Sequence, residues 1–271
     1  MRRLAAGDGL GVDGARLLER LSQLGLGGHK ARHYTHPVCT LVLLLRPGEA
    51  LAVSGNRNEL LSRPASGPRI DHGVFAPRDE AAHGTWLGLN RHGLFACVTN
   101  RHGAMLDARR RSRGLLVRDA LQAASARALH QQLATLPGDL HNGFHLVYSD
   151  LLETFVTWGD GFRITQLRLA PNELQVVTER SFGAGEGERE TAAKNAFANL
   201  PLDLQTWRKP MTLHAQEPLE SACVHAESFG YGTRSSLQLV LRPKTAQLSW
   251  TDGHPCTGVA RDLSAEVTSI L

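Results

Sequence analysis

The most constraining feature of this sequence is an apolar strand that a tight turn sends back on itself. Residues 39–45 are almost entirely apolar, a pattern typical of a strand covered on both faces. Arg46-Pro47-Gly48-Glu49 follows, with Pro and Gly in the central places of a type II turn. The chain returns from Leu51 and reaches Asn56-Arg57-Asn58-Glu59. This hairpin predicts a central sheet with layers on both of its sides.

Short strands and two helical patterns continue along the rest of the chain. Residues 63–78, rich in Pro, Gly and Arg, are expected to form a loop. The four segments between residues 144 and 178 are typical of one meander. Strands buried on both faces, together with helices, predict stacked sheets covered by helices. The predicted strands cover residues 85–89, 94–99, 144–148, 152–158, 162–167, 174–178, 237–241 and 246–250, and the predicted helices cover residues 115–136 and 188–200.

The first 38 residues differ in composition from the rest. They are rich in Gly and Arg, and one short amphipathic leucine segment over residues 17–24 ends at a glycine cluster. We expect residues 1–38 to be an N-terminal extension and residues 39–271 to be the folded domain.

Composition excludes several classes of function. The net charge is only +4, and the densest basic run, residues 109–113, has no interleaved aromatics, so we expect no nucleic-acid partner. We interpret that run as a solvated loop, with a phosphate or carboxylate site as the alternative. No apolar run approaches the ~18 residues of a membrane span. Four scattered cysteines and the lack of an apolar segment after Arg2-Arg3 favour a reducing cytoplasm.

The thirteen histidines include no H-E-x-x-H motif and no convincing helical H-x-x-x-H pair. We therefore expect no metal site. His83, His141 and His145 are interpreted as surface or hydrogen-bonded histidines, and Cys223 as a core residue.

Six short motifs lie along about residues 39–250 of the chain. They are Asn56-Arg57-Asn58-Glu59, Gly84-Thr85-Trp86-Leu87-Gly88, Cys97-Val98-Thr99-Asn100, Ser112-Arg113-Gly114, Asn142-Gly143-Phe144 and Tyr231-Gly232-Thr233-Arg234-Ser235-Ser236. Together they resemble the NRDE (transport and Golgi organisation 2-like) family, whose signature is Asn-Arg-Asp-Glu, and they stand in the family's order. The resemblance implies an α/β (α+β) fold, a four-layer αββα sandwich of the N-terminal-nucleophile hydrolase type, similar to penicillin V acylase and bile-salt hydrolase.

The same resemblance implies that Cys39 is the nucleophile. Family members usually begin Met-Cys, and here Val38-Cys39-Thr40 stands in that place. The valine codon GTG also serves as a bacterial start codon. We therefore expect translation to begin at Val38, read as Met, with a self-cleaved propeptide as the alternative. A free α-amine (pKa ~7.7–8.0) could take the proton of the thiol (pKa ~8.5), whereas an internal amide nitrogen cannot. Without the family, an inert buried thiol is the ordinary interpretation.

The related acylases imply roles for other positions. Asn100 would donate to the oxyanion, and Arg234 would hold a carboxylate or phosphate of the substrate. Asn56, Arg57 and Trp86 would line the same substrate pocket. The alternatives are a turn asparagine at Asn100 and a structural bond to a loop at Arg234.

Two positions depart from the family pattern. Asn58, also assigned to the substrate site, replaces the aspartate whose charge would face the nucleophile amine, and Phe182 replaces a polar pocket residue. The sequence predicts a cysteine amidohydrolase acting on a linear, non-peptide carbon–nitrogen bond of a small molecule, with no cofactor. The alternative is a non-catalytic protein of the same family that binds or carries haem or acyl-CoA.

Overall fold

Two antiparallel sheets lie face to face, and each carries helices on its outer side. The computed structural model describes residues 39–185 and 187–271, so the predicted extension over residues 1–38 lies outside the described residues. The strands are β1 (Thr40–Arg46), β2 (Ala50–Leu60), β3 (Ala65–Asp71), β4 (Val74–Asp79), β5 (Leu87–Asn90), β6 (Phe95–Asn100), β7 (Phe144–Ser149), β8 (Thr154–Gly159), β9 (Ile164–Leu169), β10 (Gln175–Val177), β11 (His225–Ala226), β12 (Tyr231–Arg242), β13 (Thr245–Asp252) and β14 (Ala260–Asp262). The α-helices are α1 (Arg113–Ala120), α2 (Ala126–Leu133), α3 (Glu188–Phe197), α4 (Leu204–Arg208) and α5 (Ser264–Thr268).

The first sheet is built around the β1–β2 hairpin. Its strand order is β10-β1-β2-β12-β13-β14, and β11 pairs with the start of β12. The predicted turn is confirmed by Gly48, whose φ of +73° is a conformation that favours glycine. β2 continues through Asn58 to Leu60, which places the signature tetrapeptide in the middle of the sheet beside β12.

The second sheet follows the chain order, β3-β4-β5-β6-β7-β8-β9. The predicted meander is therefore confirmed for β7, β8 and β9. The grouping of residues 174–178 with it is wrong, because β10 leaves the meander and pairs with β1 in the first sheet.

The predicted loop over residues 63–78 is also wrong, since it forms the edge hairpin β3–β4. Pro68 removes a backbone donor, but the register shifts between Ser66 and Arg69, so the strand accommodates the proline in an irregular step. His72 and Gly73, both with positive φ, make the turn. Exposed edge strands lack the apolar alternation that identifies buried ones, which explains the error.

The helix predicted over residues 115–136 is two helices, α1 and α2. The intervening turn is held by Asn90, whose amide nitrogen donates to the carbonyls of Leu121 and Ala123 at 3.0 and 2.8 Å. Ser125 then caps α2 by accepting from the backbone N–H of Ala128. The break between α1 and α2 is therefore stabilised by a side chain of β5.

Three apolar clusters define the layers. One lies between the sheets and joins leucines of β1, β2 and β12 to Phe75, Phe95 and Val147. The second joins the outer face of the second sheet to α1 and α2, and the third joins the outer face of the first sheet to α3 and α4. The predicted four-layer αββα sandwich is confirmed. No helix within residues 39–185 or 187–271 is long and apolar enough to cross a membrane.

Candidate active site

Cys39 lies immediately before β1, buried at 8% exposure. Its Sγ is 3.9 Å from the backbone oxygen of Asn58 on the neighbouring strand. Burial raises the pKa of the Cys39 thiol to about 11, although the positive charge of Arg57 opposes that shift. The thiol is consequently neutral at pH 7 in this environment and needs a base beside it to react.

Cys97 is the other buried thiol of this region. It lies on the inner face of β6, in the core between the sheets. Burial, reinforced by the nearby Cys39, raises the pKa of Cys97 well above its ordinary value.

A network of buried and half-buried charged side chains surrounds the end of β2. Arg57 Nη2 is 3.5 Å from Glu59 Oε2 and 3.9 Å from Asp79 Oδ2. Arg63 contacts the same Asp79 carboxylate oxygen with two nitrogens, at 2.8 and 2.9 Å. Such a network fixes the direction of each guanidinium and carboxylate, because the pairs are removed from water.

Arg113 is a further charged residue near Cys39, and the sequence analysis did not assign it to the site. Burial lowers the pKa of its guanidinium to about 10, and the charges of Glu59 and Cys39 oppose that shift. Its Nη1 donates to the carbonyl of Gly143 at 3.0 Å. The signal was present in the Ser112-Arg113-Gly114 motif, which contributed to the family resemblance without being assigned to the site.

A pocket of about 470 Å³ opens beside this network. It brings together three residues assigned from the sequence, namely Arg57, Trp86 and Arg234. Two tryptophans, Trp86 and Trp250, approach each other there with ring centroids 6.4 Å apart. Arg57 belongs both to this wall and to the surroundings of Cys39. The pocket therefore combines guanidinium groups with an aromatic surface.

Arg234 occupies an irregular step in β12, where pairing with β2 shifts between Thr233 and Ser235. Its Nη1 and Nη2 donate to the carbonyls of Leu61 and Arg63 at 3.0 and 3.2 Å. Its buried Nε has no hydrogen-bond partner among the described residues. Arg234 thus holds the chain that follows β2 and places its positive charge beside the pocket.

The structure does not bring Asn56 into the pocket with Arg57. Successive residues of a strand point to opposite faces, and Asn56 points toward the helix layer, where its amide donates to the carbonyls of Met211 and Ala222 at 2.9 and 2.8 Å. The Asn58 side chain accepts a 2.6 Å bond from Thr233 Oγ1. Asn58 therefore meets Cys39 through its backbone oxygen.

Asn100 ends β6 and pairs with Phe144 in β7. It is half-buried, and strand alternation places it on the same face as Val98, which packs against α1 and α2, rather than with Cys97. The oxyanion role of Asn100 stays a prediction.

Phe182 packs between the sheets, where its apolar ring is partly shielded from water. It stacks on Trp158 with centroids 5.2 Å apart and lies 5.7 Å from His145. His145 is fully buried, and Arg101 Nη1 donates to its Nε2 at 2.8 Å. Burial and the Arg101 charge lower the pKa of His145 to about 3, so this ring is neutral.

The basic run over residues 109–113 is held by partners within the described chain. Each arginine contacts a carboxylate or carbonyl: Arg109 contacts Asp107, Arg110 contacts His141 and Gly161, Arg111 contacts Asp119, and Arg113 contacts Gly143.

Known proteins resemble this chain in sequence and in fold. The Transport and Golgi organisation 2 family model matches residues 39–172. Over 106 residues, 39% of this chain, the sequence is 33% identical to the Transport and Golgi organization protein 2 homolog of Homo sapiens. The corresponding protein of Bos taurus is 32% identical over the same length. The match spans about a third, 34%, of the length of these curated relatives.

Among solved structures, the Caenorhabditis elegans N-acylethanolamine-hydrolyzing acid amidase ortholog superimposes with a TM-score of 0.53 at 12% identity. The superposition covers 75% of this chain and 92% of that one. At such low identity the likeness establishes the fold, which is the predicted N-terminal-nucleophile hydrolase sandwich. The predicted resemblance is thereby confirmed: residues 39–172 of this chain match the Transport and Golgi organisation 2 family.

Proposed function

We propose that this protein is a cysteine amidohydrolase that cleaves a non-peptide amide bond of a small acidic molecule. The observation that carries the proposal is the position of Cys39, a buried thiol immediately before β1 that interacts electrostatically with Arg57, a residue of the pocket lining. The amidase fold shared with the nematode acid amidase ortholog supports the same reaction class.

In the proposed reaction the α-amine of Cys39 is free. The amine takes the Sγ proton as the sulfur attacks the amide carbon, and the resulting tetrahedral oxyanion is stabilised by N–H donors. The carbon–nitrogen bond then breaks, and the ammonium returns its proton to the departing amine. Water finally hydrolyses the thioester and regenerates the thiol. The thiol pKa of about 11 makes this local transfer necessary, since little thiolate exists at pH 7.

The pocket supports a substrate with an anionic group and a flat or apolar portion. Arg57 and Arg234 supply positive charge, and Trp86 with Trp250 supplies the apolar surface. A guanidinium recognises carboxylate or phosphate through paired N–H donors.

The test compares the full chain with a protein that begins at Cys39, obtained by cleaving a removable N-terminal tag. A thiol-reactive acyl probe is expected to form a thioester at Cys39 only in the second protein, at neutral pH. Cys39→Ser should lose the thioester. Equal labelling of the full chain, or no labelling of the Cys39-start protein, would contradict the proposal. Mass spectrometry of the native N-terminus supplies the independent check.

A second candidate function is the binding of haem or an acyl-CoA without catalysis. Two observations favour it: Phe182 occupies space between the sheets with an apolar ring, and burial disfavours the Cys39 thiolate. A haemin titration with a Soret shift that Cys39→Ala or a histidine substitution abolishes would support this candidate, and an unchanged Soret band would count against the haem form. All four cysteines are free thiols, which supports a reducing, cytoplasmic location for either function.

A further inference from the structure

Four potential metal ligands converge away from the Cys39 site. One nitrogen or sulfur atom from each lies within 4.8 Å of the others, and the residues are His214, Cys223, His225 and Cys256. They come from three segments of the chain: the stretch before β11, the start of β11 and the loop after β13. Cys223 is buried, His225 and Cys256 are half-buried and His214 is exposed, so an ion can reach the cluster from solvent.

The distances within the cluster match a tetrahedral zinc site. Bonds of about 2.3 Å to sulfur and about 2.0–2.1 Å to nitrogen place tetrahedral donor atoms about 3.3–3.8 Å apart. Here the two sulfurs are 3.5 Å apart. His225 Nε2 lies 3.7 Å from Cys223 Sγ and 3.1 Å from Cys256 Sγ. Three of the ligands therefore already stand close to the spacing that one ion requires.

A carboxylate orients the central histidine of the cluster. His225 Nδ1 is 3.0 Å from Glu227 Oε1, which places the ring proton on Nδ1 and leaves the Nε2 lone pair directed at the two sulfurs. Zinc-binding histidines usually donate their other ring N–H to such a carboxylate. This second observation is independent of the ligand distances.

We propose that His214, Cys223, His225 and Cys256 bind one structural Zn²⁺ ion. Two imidazole nitrogens and two thiolates form a closed set of four protein ligands, the composition typical of structural rather than catalytic zinc. Binding releases one proton from each of the two thiols, and the ion is neither oxidised nor reduced. The proposal departs from the sequence-based expectation of no metal, because the ligands lie in three segments without a recognisable spacing.

The ion would stabilise one wall of the substrate pocket. His254, two residues before Cys256, lines that pocket and stacks on the His225 ring with centroids 3.9 Å apart. The neighbouring Gly253 N–H donates to the carbonyl of Arg234 at 2.8 Å. A metal that ties this loop to β11 therefore also fixes the backbone that carries Arg234.

The experiment uses the full chain, reduced and stripped with a chelator, and then titrated with Zn²⁺ or Co²⁺ alone. We expect one equivalent of Zn²⁺ to bind, and Co²⁺ to give the strong visible bands of a tetrahedral ion with thiolate-to-cobalt absorption in the near ultraviolet. Cys256→Ser should weaken Zn²⁺ binding by more than about 100-fold, beyond the loss caused by removing an outer partner. Cys39→Ser, which also removes one cysteine, should bind as the unaltered chain does.

Glu227→Gln supplies a variant that leaves every ligand in place. Its side chain is largely exposed, so folding should be retained, and Zn²⁺ affinity is expected to fall about 10–100-fold. The proposal is overturned if the reduced chain binds no stoichiometric Zn²⁺, or if Cys256→Ser and Cys39→Ser bind equally. It is also overturned if mass spectrometry finds a Cys223–Cys256 disulfide whose reduction creates no zinc site.

Discussion

Two ionisable side chains of the sandwich interior are held in their neutral forms by burial. The same loss of solvation raises the pKa of Cys39 to about 11 and lowers that of His145 to about 3. For Cys39 the consequence is chemical, because the thiol needs an adjacent base. For His145 the consequence is a dependence of stability on pH.

Acid should destabilise the fold through His145. Between its unfolded pKa near 6.5 and its folded value near 3, the unfolded chain binds a proton that the folded chain does not. The free energy of unfolding is therefore expected to fall as pH drops from about 6.5, by up to about 1.4 kcal/mol per pH unit from this residue. Urea unfolding at pH 7, 6, 5 and 4 measures it, with His145→Gln as the comparison.

The variant should be less stable than the unaltered chain at pH 7 and should lose less of its stability on acidification. Parallel pH profiles for the two proteins would show that His145 titrates normally.

At the scale of single residues, the sequence predicts which residues form the site better than it predicts where their side chains point. Arg57, Trp86 and Arg234 were assigned to one pocket and line it together. Asn56 was assigned to the same wall, yet strand alternation turns its amide to the opposite face. The packing of the two sheets determines which face of the strand points into the pocket, and a short sequence motif does not specify that packing.

Among the elements, α1 is attached to the second sheet through a close contact of two glycines. A Cβ on Gly84 would lie 2.4 Å from the carbonyl carbon of Gly114, the second residue of α1. The Thr85 N–H donates to the Gly114 carbonyl at 3.1 Å across the same contact. Both glycines belong to the family motifs, and this approach of two backbones is the physical reason for them.

Gly84→Ala should consequently destabilise the protein by about 2–3 kcal/mol, because backbone atoms cannot move aside as a flexible side chain can. Gly55→Ala is the matched control, since its nearest neighbour would be 3.5 Å away, and it should change stability by less than about 1 kcal/mol. Chemical unfolding of both variants measures the difference, and equal costs would contradict the contact.

Helix α3 is anchored by a buried ion pair between Arg189 and Glu179, whose side chains are 4% and 5% exposed. Removing one charge leaves the other without its partner in the interior. Glu179→Gln is therefore expected to cost about 3–5 kcal/mol. Glu49→Gln, which breaks the exposed pair with Arg46, should cost less than about 1 kcal/mol. Comparable losses of thermal stability in the two variants would argue against the anchor.

Elements were predictable where a local pattern determines them. The apolar run of β1 and the turn at Gly48 needed no tertiary information. The hairpin β3–β4 did need it, because the exposed residues and Pro68 of β3 form a strand through pairing with β4, which itself pairs with β5. The break after α1 likewise depends on Asn90, which lies far from it in the sequence.

At the scale of the whole molecule, the two sheets share one apolar core. Leucines of the first sheet pack against Phe75, Phe95 and Val147 of the second, so neither sheet can open without exposing the other. We expect the described domain to unfold as a single cooperative unit.

Leu43→Ala tests whether the two sheets unfold together. Leu43 is fully buried between the sheets, and its truncation should cost about 2–5 kcal/mol. Far-UV circular dichroism and tryptophan fluorescence should shift to the same lower midpoint. Leu152→Ala, at an exposed position, should shift neither probe appreciably. Separate midpoints for the two probes would indicate sheets that unfold independently.

The irregular step at Arg234 carries a consequence for how such a chain can diverge. Beyond it, Leu237 and Leu239 point into the shared core and Gln238 points out toward Ser54, an order that depends on one extra residue between Thr233 and Ser235. Replacement of Arg234 by another amino acid leaves this order intact. Deletion of Arg234 would turn the inward-facing side chains of the remainder of β12 outward and the outward-facing ones inward. Related chains can therefore substitute this residue much more readily than they can delete it.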